Sequence, residues 1–315
     1  MRVPGYSRRN VRGRGIGGRL PILLLIVAGM AVYWFMNQQE GVTGRKQMIT
    51  MGLQQEVQMG RDSYLQLLQS EPVACAQGGL GGCSVADGEN VKAIQEVGRR
   101  IAEAAREWEA EGAPMTIQGD TVGGLPSWGT LADKFDWQFN LIKSDTPNAF
   151  CLPGGYVAFY EGILPTAQNV NGVAVIMGHE VGHALARHGA ERMSQQQLMQ
   201  VGQMAVGASL GDMPVETQRM VMGAMGAGAQ VGVLLPFSRA HESEADMIGL
   251  ELLVRACYDP REAPRLWERM AELGGGERPP PFMSTHPDPA ERGKAFEAVM
   301  PQAVALYEQR CGPLN

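Results

Sequence analysis

Two histidines four residues apart, with a glutamate directly after the first, occur together in His179-Glu180-Val181-Gly182-His183. On a helix, side chains four positions apart share one face, so both imidazoles can bind the same zinc ion. Glu180 flanks that face and can accept a proton from a water molecule attacking a peptide bond. The motif therefore requires a helix with a polar, metal-facing side and indicates peptide hydrolysis.

The N-terminus combines a basic tail with an apolar run. Six arginines precede residue 20, and no acidic residue occurs before Glu40. Residues 20–36 are mostly apolar and include Tyr33-Trp34-Phe35, aromatic residues typical of a membrane interface. We predict a cytoplasmic tail (1–19), a transmembrane anchor (20–36) and an exported remainder, because basic flanks stay inside. A cleaved signal peptide is the alternative, since the run is short.

Charge and cysteine content restrict the partners and the compartment. Removing the six tail arginines from the 27 basic residues leaves 21 against 33 acidic residues, so we expect no nucleic-acid partner. Five cysteines fit an oxidising compartment. Cys75 with Cys83 and Cys257 with Cys311 could form disulfides, which leaves Cys151 as a small buried side chain.

Hydrophobic periodicity predicts a small sheet followed by a helical body, an α+β and mostly helical fold. We expect residues 37–89 to form a juxtamembrane helix with a Gly- and Cys-rich loop, and residues 90–315 to form the catalytic domain. Segment 201–237, rich in Gly, Ala and Met, fits either close-packed helices of a soluble core or a hairpin that touches the membrane. Helices are predicted at 47–68, 91–108 and about 169–188, and strands at 135–141 and 156–160.

A zinc site with two histidines needs a third protein ligand, often a glutamate. Ser238 to Asp246 offers candidates, because Glu242 and Asp246 lie four residues apart and share a helix face. One carboxylate would bind the metal and the other would fix the tautomer of a ligating imidazole. The residues alone do not distinguish Glu242 from Glu244 as the ligand.

Four motifs in this order together resemble the HtpX and CAAX-prenyl-protease-like zinc peptidases, with most similarity to the single-anchor or periplasmic BepA/LoiP-like branch. The resemblance implies a gluzincin-type domain that binds one Zn²⁺ per chain through His179, His183 and Glu242. It further implies Glu180 as the catalytic base and Asp246 as the residue that orients a ligand. The motifs span Asn148 to Gly155, His179 to His183, Ser238 to Asp246 and Ser284 to Pro287.

The upstream motif also suggests how substrate binds. A strand beside the zinc cleft can pair with an extended peptide through main-chain hydrogen bonds, so Asn148, Ala149 and Phe150 are candidate substrate-binding residues. An ordinary hairpin stabilised by the following glycines is the alternative.

His286 lies in a proline-rich loop that would hold its imidazole at a defined place. It could stabilise the oxyanion of the tetrahedral intermediate, or occupy the fourth zinc position and keep the enzyme latent, or have a structural role. We expect His188 and His241 to be surface or packing residues. Arg292 could donate to the active site or pair along its own helix, and we favour the second.

The resulting hypothesis is a zinc-dependent endopeptidase at the inner membrane, with a cytoplasmic N-terminus and a periplasmic catalytic domain. Its expected substrates, by analogy with the family, are misfolded or unassembled envelope proteins. An envelope chaperone or assembly factor with little proteolysis is the alternative, although such a protein has no use for Glu180. A prenyl-protein protease, which has many membrane spans, fits the single predicted anchor poorly.

Overall fold

The computed structural model describes residues 16–74, 85–117, 124, 126, 128–211, 213–229, 235–273, 282, 285–286 and 289–314. Its helices and small sheets confirm the predicted α+β, mostly helical class. The helices are α1 (Ile16–Met36), α2 (Leu53–Ser70), α3 (Val85–Ala110), α4 (Leu164–Ala167), α5 (Val170–Leu185), α6 (His188–Ser209), α7 (Val215–Ala229), α8 (Leu235–Arg255), α9 (Glu262–Leu273) and α10 (Pro289–Cys311). The strands are β1 (Gln38–Glu40), β2 (Lys46–Met48), β3 (Gln138–Ile142), β4 (Ala149–Leu152) and β5 (Tyr156–Tyr160).

The three-stranded sheet has the order β3-β5-β4, with β3 parallel and β4 antiparallel to β5. Strand β5 has the predicted bounds. Strand β3 begins later than predicted, at Gln138 rather than Phe135. The side chain of Trp137 instead donates to the carbonyl of Ala132, and its ring packs edge-on against Phe135. Since β4 pairs with β5 on one side only among the described strands, its other edge is available to border a cleft.

Helix α5, which carries the two-histidine motif, begins and ends at identifiable signals. Asn169 caps its start by accepting hydrogen bonds from the backbone N–H groups of Asn171 and Gly172. The predicted single helix to residue 188 is interrupted at Arg187, which adopts a left-handed conformation with φ of 55°. The buried Arg187 side chain pairs with Glu56 at 2.8 Å, and this contact turns the chain into α6.

Helices α5 and α8 cross closely at glycines. A Cβ atom on Gly178 would lie 2.8 Å from the carbonyl oxygen of Gly249, and one on Gly182 would lie 2.8 Å from that of Ala245. Real Cβ atoms do not make such contacts, so these positions require glycine at this separation. The close crossing brings the carboxylates of α8 next to the histidines of α5.

The segment between α1 and α2 packs on the junction of α5 and α6 through polar side chains. Gln47 donates to the carbonyl of Ala186, and the backbone N–H of Thr50 donates to Ser194. Gly60 of α2 touches the carbonyl of Pro153, where a Cβ atom would not fit. This segment therefore contributes to the same body as the histidine helix.

Two further features bear on the N- and C-termini. Among the described residues one helix, α1 over Arg19–Met36, is long and apolar enough to cross a membrane. A disulfide joins Cys257 to Cys311 with the Cα atoms 5.7 Å apart, which confirms that pairing. Cys75 and Cys83, the other predicted pair, lie outside the described residues.

Candidate metal centre

Four side chains from α5, α8 and the segment before α10 converge on one point. His179, His183, Glu242 and His286 each offer a ligand atom, and these atoms all lie within 4.8 Å of one another. Nε2 of His183 is 3.0 Å from Nε2 of His179, and Nδ1 of His286 is 2.8 Å from Oε2 of Glu242. Two or three imidazoles and one carboxylate form a donor set suited to zinc.

The chemistry of Glu242 supports this fit. Its Oε1 atom is buried and has no hydrogen-bond partner, although it lies 3.4 Å from Nε2 of His183. A buried carboxylate oxygen without a partner is costly, and a cation held by the surrounding imidazoles would satisfy it.

His179 is held by an acidic residue and an aromatic ring. Asp246 lies 3.0 Å from Nδ1 of His179, which leaves Nε2 facing the cluster. Trp267 of α9 packs edge-on against the His179 ring at 5.8 Å. The tautomer and the orientation of this imidazole are therefore set by its surroundings.

His183 is held through a second histidine. Its Nδ1 atom lies 2.8 Å from Nδ1 of His188, and Nε2 of His188 lies 3.0 Å from Oε2 of Glu244. Burial lowers the pKa of His188 to about 4, so the ring is neutral near pH 7 and can accept from His183 while donating to Glu244. Glu244 also accepts hydrogen bonds from Thr43 and Arg45. A chain of contacts thus joins the segment after α1 to a candidate metal ligand.

The structure corrects the predictions for two histidines in part. His188 and His241, expected to be surface or packing residues, are buried and stack on each other with ring centroids 4.3 Å apart, but both also form polar contacts. Nε2 of His241 lies 2.9 Å from Glu191, and Arg45 binds both Glu191 and Glu244. No local signal marked this network, because its members are far apart in sequence.

Arg292 is the third correction. Instead of pairing along α10, its buried side chain bonds to Asp246 and Glu242 of α8, the latter at 3.0 Å, and lies over the Trp267 ring at 3.4 Å. The only sequence signal was its position six residues after His286. The positive charge of the guanidinium offsets the negative charges of Glu242 and Asp246.

Glu180 faces the cleft beside the cluster. Its Oε1 atom is buried, has no hydrogen-bond partner and lies 3.5 Å from Nε2 of His286. Burial raises the pKa of Glu180, which favours a group that can take up a proton. The same cleft is lined by Asn148, Ala149 and Phe150 of the β4 edge.

Cys151, the remaining cysteine, also lines this cleft as a free, partly buried thiol. Burial raises its pKa well above the usual value, so the thiol stays protonated. This agrees with the prediction that it is not a reactive group.

Comparison with known proteins identifies the family. Residues 126–299 match the description "Peptidase family M48". The chain is 40% identical over 173 residues to "Mitochondrial metalloendopeptidase OMA1" of Schizosaccharomyces pombe, covering 55% of this chain and 49% of that protein. It is 36% identical over 193 residues to the protein of that name in Saccharomyces cerevisiae, covering 57% and 52%.

A bacterial relative is the "Beta-barrel assembly-enhancing protease" of Yersinia pestis, 32% identical over 185 residues, covering 56% of this chain and 37% of that protein. The chain thus matches about half the length, or less, of these relatives. The mitochondrial relatives mean that the narrower BepA/LoiP-like branch stays a prediction. The chain belongs to peptidase family M48, and this membership supports its assignment as a zinc-dependent metalloendopeptidase.

Proposed function

We propose that the chain is a membrane-anchored, extracytoplasmic endopeptidase that cleaves misfolded or unassembled envelope proteins. The observation that carries the proposal is the convergence of His179, His183 and Glu242 beside an unpartnered Glu180 in one cleft. We assign the first three residues as zinc ligands, and Asp246 as the residue that orients His179.

Glu180 is the general base of the proposed reaction. Zinc, when bound, supplies Lewis acidity that lowers the pKa of water and polarises the peptide carbonyl. Oε1 of Glu180 accepts the proton of the attacking water and then delivers it to the leaving amine. Its lack of competing hydrogen bonds leaves this atom ready for the transfer.

The open edge of β4 is the proposed substrate-binding strand. Asn148, Ala149 and Phe150 line the cleft with Glu180 and His183, and an extended peptide added to this edge would pass the cluster. Main-chain pairing requires an extended segment rather than a particular sequence. This favours unfolded or flexible chains as substrates.

His286 is proposed to act at the same centre. Its Nδ1 atom lies among the ligand atoms, 3.1 Å from Nε2 of His179, which favours a fourth ligand that holds the enzyme latent over an oxyanion donor. Leaving the cluster would open the fourth position. The position of His286 would therefore control whether water and substrate reach the metal centre.

The anchor and the compartment rest on separate observations. Helix α1 is long and apolar enough to span a membrane, and the six arginines before residue 20 favour a cytoplasmic N-terminus. The Cys257–Cys311 disulfide fits an oxidising compartment for the catalytic domain. The name of the Yersinia relative supports envelope proteins as the substrate class.

Replacing Glu180 by glutamine tests the proposal. The full chain, purified with zinc, should cleave casein, and the Glu180→Gln variant should lose activity by about 10²–10⁴-fold because an amide cannot accept the proton. Zinc content, measured by atomic absorption, should stay unchanged. A zinc-loaded variant with wild-type turnover would exclude this mechanism, whereas a zinc-loaded wild-type chain without proteolysis would favour the chaperone alternative.

A further inference from the structure

One stripe of α1 is covered by α6 while the rest of α1 is exposed. Met30 packs against Gly202 of α6, and Arg19 donates to the carbonyl of Ser209. The two helices therefore run antiparallel, with α6 passing from the level of Met30 to that of Arg19. The half-buried residues recur at helical spacing, namely Arg19, Leu23, Ile26, Met30 and Trp34.

This packing sets the depth that α6 reaches. At 1.5 Å per residue, α1 spans about 16 Å from Met30 to Arg19, roughly half of a 30 Å hydrocarbon core. Arg19 ends the apolar run of α1 on the basic side. Ser209 lies about 10 Å along α6 from Gly202, and the Arg19 side chain reaches its carbonyl, so the end of α6 approaches the inner end of the anchor.

The charge pattern of the chain matches this depth. No charged residue occurs between Arg192 and Asp212, and none between Arg219 and Arg239. Each interval has about the length of a bilayer span. Of the charged residues between the two intervals, Glu216 and Arg219 lie in the first turns of α7, at its end nearer the end of α6.

Large apolar side chains are exposed on both α6 and α7, while the exposed charged residues of α7, Glu216 and Arg219, lie near its start. Val201 and Met204 of α6 are 56% and 67% exposed, and Met220 of α7 is 65% exposed. They continue the exposed apolar surface of α1, where Leu25 is 73% exposed. Gly202 lies between Met30 and Met225, so the three helices meet at a small residue, as packed membrane helices do.

The polar residues of α6 fit the same placement. Gln195, Gln196 and Gln197 lie about as far from Gly202 as the outer end of α1 lies from Met30, which places them at the outer interface. Gln203 lies deeper and is half-buried, and amide side chains are tolerated where membrane helices pack together, whereas Gln200 is exposed, uncharged and closer to the outer interface.

We infer that α6 from Leu198 onwards and α7 form a hairpin that re-enters the bilayer beside α1, with its tip near the inner surface. The inference rests on the proposed anchoring by α1. The exposed apolar face of the hairpin would contact the hydrocarbon of the membrane rather than a second protein. The hairpin starts and ends on the exported side, so the orientation of the C-terminus does not reveal it. Helix α6 begins at His188, beside the metal centre. Eight residues separate His188 from the outer interface at Gln196, so the centre lies roughly 12 Å above the membrane surface.

Spin labels on matched alanines test the hairpin. Ala208 of α6, Ala224 of α7 and Ala298 of α10 are all exposed helical alanines. Each is replaced by cysteine in a full-length Cys151→Ser parent, labelled with a nitroxide and reconstituted in phospholipid vesicles. The signal of the labelled parent without a new cysteine is subtracted. Collision rates with oxygen, which partitions into lipid, and with a water-soluble nickel chelate are then compared.

At residues 208 and 224 collisions with oxygen should exceed those with nickel, and at residue 298 the order should reverse. Dominant nickel collisions at 208 and 224 would overturn the hairpin, and low rates with both reagents would assign this face to a second protein instead. Carbonate extraction separates the two proposals. A chain released from the membrane would overturn the anchor as well, whereas a retained chain with nickel-accessible labels would overturn the hairpin alone.

Discussion

At the residue scale, three acidic residues of α8 have three separate contacts in the centre. Glu242 lies among the imidazoles, Asp246 contacts His179 from the same helix face, and Glu244 reaches His183 only through His188. Burial alone would raise the pKa of Glu244, but the hydrogen bond from His188 and the charge of Arg45 lower it to about 2. Glu244 is therefore an anion near neutral pH. It orients His183 through His188 rather than binding the metal itself.

Glutamine substitutions should separate these roles. Glu242→Gln should lose most of its zinc, because a neutral amide oxygen is a poorer ligand than a carboxylate. Glu244→Gln should keep its zinc at saturating metal and lower the affinity by about 10–100-fold, as expected for the partner of a ligand. Metal content and zinc titration measure both effects, and equal occupancy in the two variants would contradict the assignment.

Substitution of His286 by alanine has opposite consequences under its two proposed roles. Release of a fourth ligand should raise casein cleavage, whereas loss of an oxyanion donor should lower it by about 10²–10³-fold. We expect the increase, because Nδ1 of His286 lies among the ligand atoms. Unchanged turnover with unchanged zinc content would leave only a structural role.

The residues of this centre differed in how far the sequence could predict them. His179, Glu180 and His183 were evident because one helix turn carries them. Glu242 needed the family resemblance, because spacing alone did not separate it from Glu244. The polar contacts of His188 were missed, and for Arg292 the wrong one of two roles was favoured, since their partners lie 56 residues away in Glu244 and 113 residues away in His179. Such pairs depend on how helices cross, which local patterns do not encode.

At the element scale, the crossing of α5 and α8 determines whether the ligands meet. Gly178 and Gly249 face each other across it, and backbone occupies the space that side chains would need. Strand β5 and helices α3 and α5 were predictable from periodicity. Helix α2 was too, except that it begins at Leu53 rather than Gln47, because residues 46–48 pair with β1 as strand β2. The break at Arg187 was not, because it depends on a buried pair with Glu56 from a distant helix.

Gly249→Ala should therefore push the two helices apart. Overpacking at such a contact costs about 1–3 kcal/mol, and zinc affinity should fall with it because Glu242 moves away from the histidines. Gly293→Ala in α10 is the matched control, since a Cβ atom there meets nothing within 4 Å. The control should be neutral or stabilising by about 0.5–1 kcal/mol. Urea unfolding curves compare the two, and equal stabilities would show that the crossing is not tight.

At the scale of the whole molecule, one exported body would be held at the membrane by α1. Helices α5, α8, α9 and α10 pack together at the metal centre, and the disulfide joins the end of α8 to the end of α10. The basic residues lie before the apolar helix and the excess of acidic residues after it. This asymmetry favours export of the catalytic body that follows α1.

A reporter fused after Asn315 tests this orientation. Alkaline phosphatase, which needs disulfides and folds outside the cytoplasm, should be active in the fusion. A fluorescent reporter that matures only in the cytoplasm should be dark. The opposite pair of results would place the catalytic domain inside and exclude periplasmic substrates.

The contact from Arg45 to Glu244, across 199 residues, has a consequence for when activity can first arise. Native contacts between distant parts of a chain form late, because long loops must close first. His286 and Arg292 are translated after the other residues of the centre. A growing chain can form the α5 helix but cannot complete the centre until α10 has been synthesised. The order of synthesis therefore delays activity until the segment that carries His286 and Arg292 has been made.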